Sequence, residues 1–519
     1  MELSLSGCVN LGQAFERVSK ARASHTALSY ADGTRITYAE LADRVERIAA
    51  GLLQHGLKAR EVVALFNHKS ADGIAAILAC TKLGLLYTNI DPASPPDRCV
   101  RILDRCMPSI ILVDESSVDA MRAISGSHMQ KLVALKDVAN SNGSHNATGD
   151  PGPKAGGPTG SDGAYIMFTS GSTGFPKGAV ITHQNVLNFI AWGRHSIGIT
   201  EADTLTNVNP IYFDNSVCDL YVALYNGATL CPSTTDQVKD ARALVKNVEA
   251  LNCTMWFSVP SMLVYLLTMR AIDKTSMPAM KRIMFGGEGF PKAKLKELHA
   301  LLGDRVKLIN VYGPTECTCI CSAYDITEKD FADMVELAPL GHLAPDFYFH
   351  IDPLEASDPK LGELLLGGPN VGSGYYNDPE RTAKAFVQDP TAPHYRKIMY
   401  RTGDLVRLSG DGLLRFKGRV DNQIKHMGYR IELEEVEAAF SALPVVHEVG
   451  VIYKTTVPGA PGSILAYVNT DKGVTAESLG KDITAALPAY MRPRTIFVQH
   501  TPLPKNSNGK IDRQALKAL

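Results

Sequence analysis

Several things are missing from this 519-residue chain, and each absence removes a class of protein. Charge of one sign is not in excess: 53 Lys and Arg against 54 Asp and Glu leave a formal net charge of −1. Nothing therefore points to a nucleic-acid or membrane partner. No apolar run reaches the roughly 18 residues that a membrane span needs. The N-terminus, MELSLSGCVNLGQAFERVSK, has no basic segment leading into an apolar one, so a secretory leader is not expected. Ten cysteines are scattered without a CxxC pair, which predicts a reduced, cytoplasmic setting. The nucleotide-triphosphate loop GxxxxGK[ST] is also missing. The nearest stretch, TSGSTGFPKG at 169–178, places Phe175 and Pro176 between Gly174 and Lys177 and follows the lysine with Gly178. That spacing disfavours a kinase of the P-loop type.

What is present is an ordinary soluble composition, 45% hydrophobic and 21% charged, long enough for more than one domain. Short apolar runs at Glu61–Phe66, Ser109–Val113, Ala164–Phe168, Lys281–Phe285 and Val306–Val311 predict strands buried on both faces. Amphipathic segments lie between them. Over Thr37–Leu57, Leu41, Val45, Ile48 and Leu52 share one helical face, and Thr37 with Glu40 forms a T-x-x-E capping box. This alternation predicts parallel α/β layers through about residue 420. The Gly/Pro/Ser-rich stretch Asn140–Gly163 reads equally as a domain linker or an exposed loop within a domain. The last 100 residues turn to charge and short elements, which predicts a small α+β domain, with 1–420 as the core and 421–519 as the second unit. Cys317, Cys319 and Cys321 alternate, as three residues on one face of a strand would. Their spacing is too close for a metal site.

Open α/β sheets bind ligands beyond the carboxyl ends of their strands. Four such loops carry glycine or carboxylate: TSGSTGFPKG, FDNSVCD (213–219), GGEGF (286–290) and YGPTE (312–316). In one sheet they would converge on one cleft. Gly171 and Gly174 would let backbone N–H groups approach an anion, Thr169, Ser170, Ser172 and Thr173 add hydroxyls, and Lys177 adds charge. Glu316 offers a carboxylate for Mg²⁺ beside a phosphate. Tyr312 offers a face on which a base can stack.

With these motifs in order, and with GELLLGGPNVGSGYYNDPERT, YRTGDL, GRVDNQIKHMGYRIELEEVE, LPAYM and LPKNSNGKIDR following, the sequence resembles the adenylate-forming superfamily. It is most similar to the amino-acid adenylation domains of nonribosomal peptide synthetases. TKLGLLYTNIDP is a weaker version of another motif of that family. The resemblance covers nearly the whole chain. It implies a large N-terminal domain of layered α/β subdomains and a small mobile C-terminal α+β lid. It also implies a two-step reaction: a carboxylate attacks the α-phosphate of ATP, and the acyl-adenylate is captured by a thiol, here the phosphopantetheine arm of a carrier protein. By the resemblance, Thr169–Lys177 hold the β,γ-phosphates. Asn310 and Tyr312 bind adenine, with Gly287 and Glu288 nearby. Thr315 contacts the α-phosphate, Glu316 carries Mg²⁺, Asp404 takes the ribose hydroxyls and Arg419 reaches the ribose or phosphates. Lys510 bridges the substrate carboxylate and ATP. Asp421 is a hinge whose rotation exchanges the Lys510 loop for the loop around Lys425–Gly428.

Asp214 would pair with the substrate's α-amino group. By the same resemblance, Asn215, Cys218, Phe257, Met284, Gly286, Val311, Cys319 and Ile320 line the side-chain pocket. That lining carries no charge besides Asp214, which excludes a charged side chain and favours isoleucine, leucine or valine. Asn215 departs from the small residue usual there and allows a polar group. An MbtH-like helper protein is a further partner that the family implies. No carrier-protein serine motif or condensation motif is present, so the sequence reads as a stand-alone enzyme or an excised domain. Two rivals remain: an acyl- or aryl-CoA ligase of the same superfamily, and a catalytically silent nucleotide-binding protein of the same fold.

Overall fold

In the strand Val62–Phe66, Val63 and Leu65 face one core while Val62, Ala64 and Phe66 face another. That division sets the architecture, because a strand covered on both faces must lie between layers. The computed structural model describes residues 4–124, 126–140, 157–171, 175–455, 462–506 and 511–519. Two large sheets face one another across a shared helical layer. One has seven strands, in which five neighbouring strands run parallel and Lys177–Thr182 and Gly374–Tyr375 continue it antiparallel. The other has nine strands, with Thr204–Asn207, Met255–Ser258, Arg282–Gly286 and Lys307–Tyr312 parallel at its centre. Between them the helices Leu11–Ala21, Tyr38–Gln54 and Ala71–Leu83 join residues of both sheets in one core.

The five expected strands form, each beginning within one residue of its expected start. The capping box of Tyr38–Gln54 also forms: the Thr37 hydroxyl accepts from the Glu40 N–H, and Glu40 accepts from the Thr37 N–H at 2.7 Å. Most of the stretch Asn140–Gly163, residues 141–156, lies outside the described residues; the strands on either side of it, Leu132–Ala134 and Gly163–Thr169, belong to the same seven-stranded sheet.

A third, five-stranded antiparallel sheet ends with Leu414–Arg419. Beyond it lie a hairpin, Gln423–His426 with Tyr429–Glu432, the helix Leu433–Ser441 and a three-stranded sheet. The hairpin turns through Met427 and Gly428, both at positive φ (53° and 83°), a two-residue turn whose twist matches that of its strands.

Two expectations need correction. The four ligand loops do not share a sheet: TSGSTGFPKG joins two antiparallel strands of the seven-stranded sheet, and the other three loops follow strands of the nine-stranded one. The cleft therefore forms where the sheets meet. Next, Cys317, Cys319 and Cys321 do not lie on one strand face. Thr315–Cys317 is a 3₁₀ turn, Thr318 and Cys319 have positive φ (60° and 71°), and the next strand begins at Ser322. Cys319 then enters the inter-sheet core, while Cys317 and Cys321 enter the core of the third sheet.

Candidate active site

Register places one wall of the site. Phe257 pairs with Met284 across neighbouring strands, and Gly286 pairs with Val311. Phe257, Met284 and Val311 face the inter-sheet core together with Cys218, Cys319 and Ile320, while Trp256, Ile283 and Phe285 face outward under the outer helices. All six inward side chains are buried. A β-carbon on Gly286 would stand 2.3 Å from the Val311 carbonyl oxygen, so only glycine fits there. Gly287 has φ +89°, and Asn215 points its amide toward it.

Asp214 caps a helical run, Asn215–Val217, that widens into a π-turn over Cys218–Val222. Such widened turns recur at functional sites. Its Oδ2 accepts from the Thr315 hydroxyl at 2.6 Å. Among the described residues no cation lies within ion-pair distance of it. Burial pushes its carboxyl above the usual range; the Thr315 hydroxyl opposes that shift, and the nearby Glu316 charge adds to it.

The residues expected to hold phosphate are engaged by the C-terminal domain. The Ser170 hydroxyl donates to the Arg430 carbonyl at 2.6 Å and accepts from the Glu432 N–H at 3.2 Å. The Gly171 N–H donates to Glu435 Oε2 at 3.3 Å, and Lys177 Nζ stands 3.7 Å from both Glu316 and Glu432. Glu435 also pairs with Arg98. A β-carbon on Gly171 would lie 2.1 Å from the Phe175 carbonyl oxygen, and the buried Thr169 hydroxyl has no protein partner among the described residues. Amide, hydroxyl and ammonium groups so placed fit an anion, and carboxylates hold them here. Ser172, Thr173, Gly174 and Lys510 lie outside the described residues.

Glu316 is fully buried. Its Oε2 accepts from Arg430 at 2.7 Å and its Oε1 from the Tyr375 hydroxyl at 2.7 Å. Burial alone would raise its pKa, but Arg430, Lys177 and the Tyr375 hydroxyl outweigh it and hold the carboxylate well below the usual range. With Arg430 seated, Glu316 leaves no open side for Mg²⁺, and the described residues hold no group of three His, Cys, Asp or Glu for a metal.

The expected nucleoside residues cluster nearby. Asp404 accepts from the Tyr312 hydroxyl at 2.6 Å and from Arg419, which also grips both Asp421 oxygens at 2.6 and 2.7 Å. Asn310 donates its amide to the Pro339 carbonyl at 2.8 Å. Glu288 accepts from the Ser261 N–H at 2.9 Å and the Gly428 N–H at 3.1 Å. Lys425, half-buried, holds its ammonium 5.7 Å from the centre of the Tyr312 ring, on the face expected to stack a base. Burial lowers its pKa, and Asp404 opposes the shift. The hairpin at Lys425–Gly428 therefore faces the cleft.

Sequence reasoning missed Arg430, Glu432, Glu435, Arg98 and Tyr375. The signal for the first three stood in RIELEEVE, where Glu432 and Glu435 are spaced three apart and buried, unlike the neighbouring Glu434. Charged residues are seldom buried without partners.

Residues 15–376 match the family model for AMP-binding enzymes, and residues 435–510 match that for the AMP-binding enzyme C-terminal domain. The chain is 32% identical over 98% of its length to surfactin synthase subunit 2 of Bacillus subtilis (strain 168), and it spans 14% of that protein. It is also 32% identical to the D-alanine–D-alanyl carrier protein ligase of Streptococcus equi subsp. equi (strain 4047), over 92% of this chain and 93% of that one. Its fold is similar to that of NpsA-ThdA, an artificially fused adenylation–PCP di-domain from Klebsiella oxytoca (TM-score 0.81, 22% identity, 95% and 94% of the two chains covered). With one family model matching most of the layered core and a second matching the C-terminal unit, the chain belongs to the AMP-binding enzymes, the adenylate-forming ligases that include the adenylation domains of nonribosomal peptide synthetases.

Proposed function

We propose that the protein activates an α-amino acid with ATP and then passes the aminoacyl group to the phosphopantetheine thiol of a carrier protein. One observation supports the amino-acid reading above all: Asp214 is a half-buried carboxylate at the head of the segment that carries Cys218, held by the Thr315 hydroxyl and with no cation within ion-pair distance among the described residues. A substrate ammonium supplies that partner. The uncharged, tightly packed lining suits a small aliphatic side chain, and isoleucine, leucine and valine are the proposed substrates.

In the first step a substrate carboxylate oxygen attacks the α-phosphorus, the bond to the β-phosphate oxygen breaks, and pyrophosphate leaves. Gly171 and Lys177 would hold the leaving group, with Asp404 and Tyr312 at the nucleoside. Lys510 would stabilise charge at the reacting oxygens. Withdrawal of Arg430 would free Glu316 for Mg²⁺ beside the phosphates. In the second step the thiol sulfur attacks the acyl carbon, and its bond to the AMP oxygen breaks. The hairpin Gln423–Glu432, docked at the cleft, is the arrangement suited to this step. Asp421, between residues 1–420 and the rest, is the proposed hinge.

ATP–pyrophosphate exchange over a panel of amino acids, D-alanine included, tests the reading. Exchange with an aliphatic amino acid is expected, and silence across the panel refutes it. Transfer to free CoA in preference to a carrier protein would favour the CoA-ligase alternative. Lys510→Ala is expected to lower exchange by orders of magnitude while ATP still binds; intact exchange would remove its assigned role.

A further inference from the structure

The loop that delivers Asp214 is held by a buried polar network with no role in the chemistry above. Residues 208–213 leave the strand Thr204–Asn207 and end one residue before Asp214. An untethered loop of this kind samples many positions. Asn89, in the other sheet, donates its amide to the Ile211 carbonyl at 3.0 Å. Lys69, just after the strand Val62–Phe66, donates to the Asn207 carbonyl at 2.6 Å. Asp219, in the π-turn beyond Asp214, is 1% exposed, and its Oδ2 accepts the side-chain amides of Asn207 and Asn209, each at 2.9 Å. Asn209 donates its other amide hydrogen to the Phe257 carbonyl at 3.0 Å. Phe257 is a wall of the proposed pocket.

Burying these charges is unfavourable. Burial raises the Asp219 carboxyl well above the usual range, against the two asparagine amides and Lys69, and it lowers the Lys69 ammonium. An apolar residue at this helix position would avoid the desolvation. It would not fix direction, which hydrogen bonds to a shared carboxylate do.

We propose that Asp219 is a positioning residue for the amino-acid site. Through Asn209 it couples the helix bearing Asp214, Asn215 and Cys218 to the Phe257 wall. Through Asn207 it ties that helix to the loop held by Lys69 and the second sheet. The anchor for the substrate ammonium and the wall for its side chain thereby keep one relative position, which site chemistry requires to within a fraction of an ångström. This rests on the amino-acid reading above.

Exchange kinetics of Asp219→Asn and Asn209→Ala test it, with the amino acid selected by the panel and its des-amino acid as paired substrates. In each variant the KM for the amino acid is expected to rise at least tenfold while the KM for ATP stays within twofold. The preference for the amino acid over the des-amino acid is expected to fall at least tenfold. An unmoved amino-acid KM in a folded variant overturns the proposal. So does a parallel rise of both KM values, which marks general damage. Should Asp219→Asn not fold, Asn209→Ala, which cuts the link to Phe257, decides alone. Wild-type protein that exchanges no amino acid brings down the underlying reading and this one with it. Wild-type exchange with unmoved variants brings down only this one.

Discussion

Asp214 concentrates the residue-scale chemistry. A hydrogen-bonded contact to a charged group contributes roughly 1.5–3 kcal/mol, so Asp214→Ala is expected to raise the amino-acid KM about 10- to 150-fold and leave ATP binding intact. Equilibrium binding of each substrate measures this. The pH dependence has a definite sign. Burial raises the Asp214 carboxyl, so in the free site it takes up a proton at a pH above the usual carboxylate range. Amino-acid affinity is then complete above that raised value and is lost as pH falls through it. A titration of amino-acid affinity at fixed ATP is the check, and Asp214→Asn is expected to flatten it. Asp214 was legible because FDNS is a local motif. Its environment was not, since the partnering Thr315 lies 101 residues away.

The hairpin Gln423–Glu432 is the element that decides what the cleft can do. Its tip needs Gly428, whose φ is +83° and whose β-carbon would lie 3.0 Å from Val259. Gly428→Val is expected to slow transfer to the thiol at least tenfold while pyrophosphate exchange persists, because the proposed first step does not use the docked hairpin. Separate assays of the two half-reactions measure the split, and equal losses in both would refute it. The helix Tyr38–Gln54 gives the contrasting case. Thr37→Ala removes its capping box and is expected to cost about 1 kcal/mol of stability without altering either half-reaction, as read by denaturant unfolding. Helix, capping box and strand positions were legible because each depends on residues within a few positions of one another. The cysteine run misled for the same reason: alternation suggested a strand, but positive φ at Thr318 and Cys319 breaks the alternation.

At the scale of the molecule, the small domain docks by placing Glu432 and Glu435 against Lys177 and Gly171, the groups proposed to hold phosphate, with Arg430 on Glu316 and Arg98 on Glu435. Removing one member of a buried ion pair leaves the other uncompensated, at about 3–5 kcal/mol. Glu435→Ala is therefore expected to shift the domain away from the docked arrangement. Fluorophores on the two domains would report a fall in energy transfer, and an unchanged distance distribution would refute the docking role.

The sequence by itself determined the layered α/β core and the strands, because these follow from local periodicity, and it carried the ordered motifs whose resemblance to a known family implied the rest. It also marked Asp214, Glu316 and Lys177 as residues with chemistry to do. Only the tertiary structure decided that the phosphate loop and the other ligand loops sit on different sheets. It alone decided that Arg430 pairs with Glu316 across 114 residues and that Glu435 meets Gly171 across 264. Periodicity reports that a face is buried, and only the packing of distant segments chooses what that face meets.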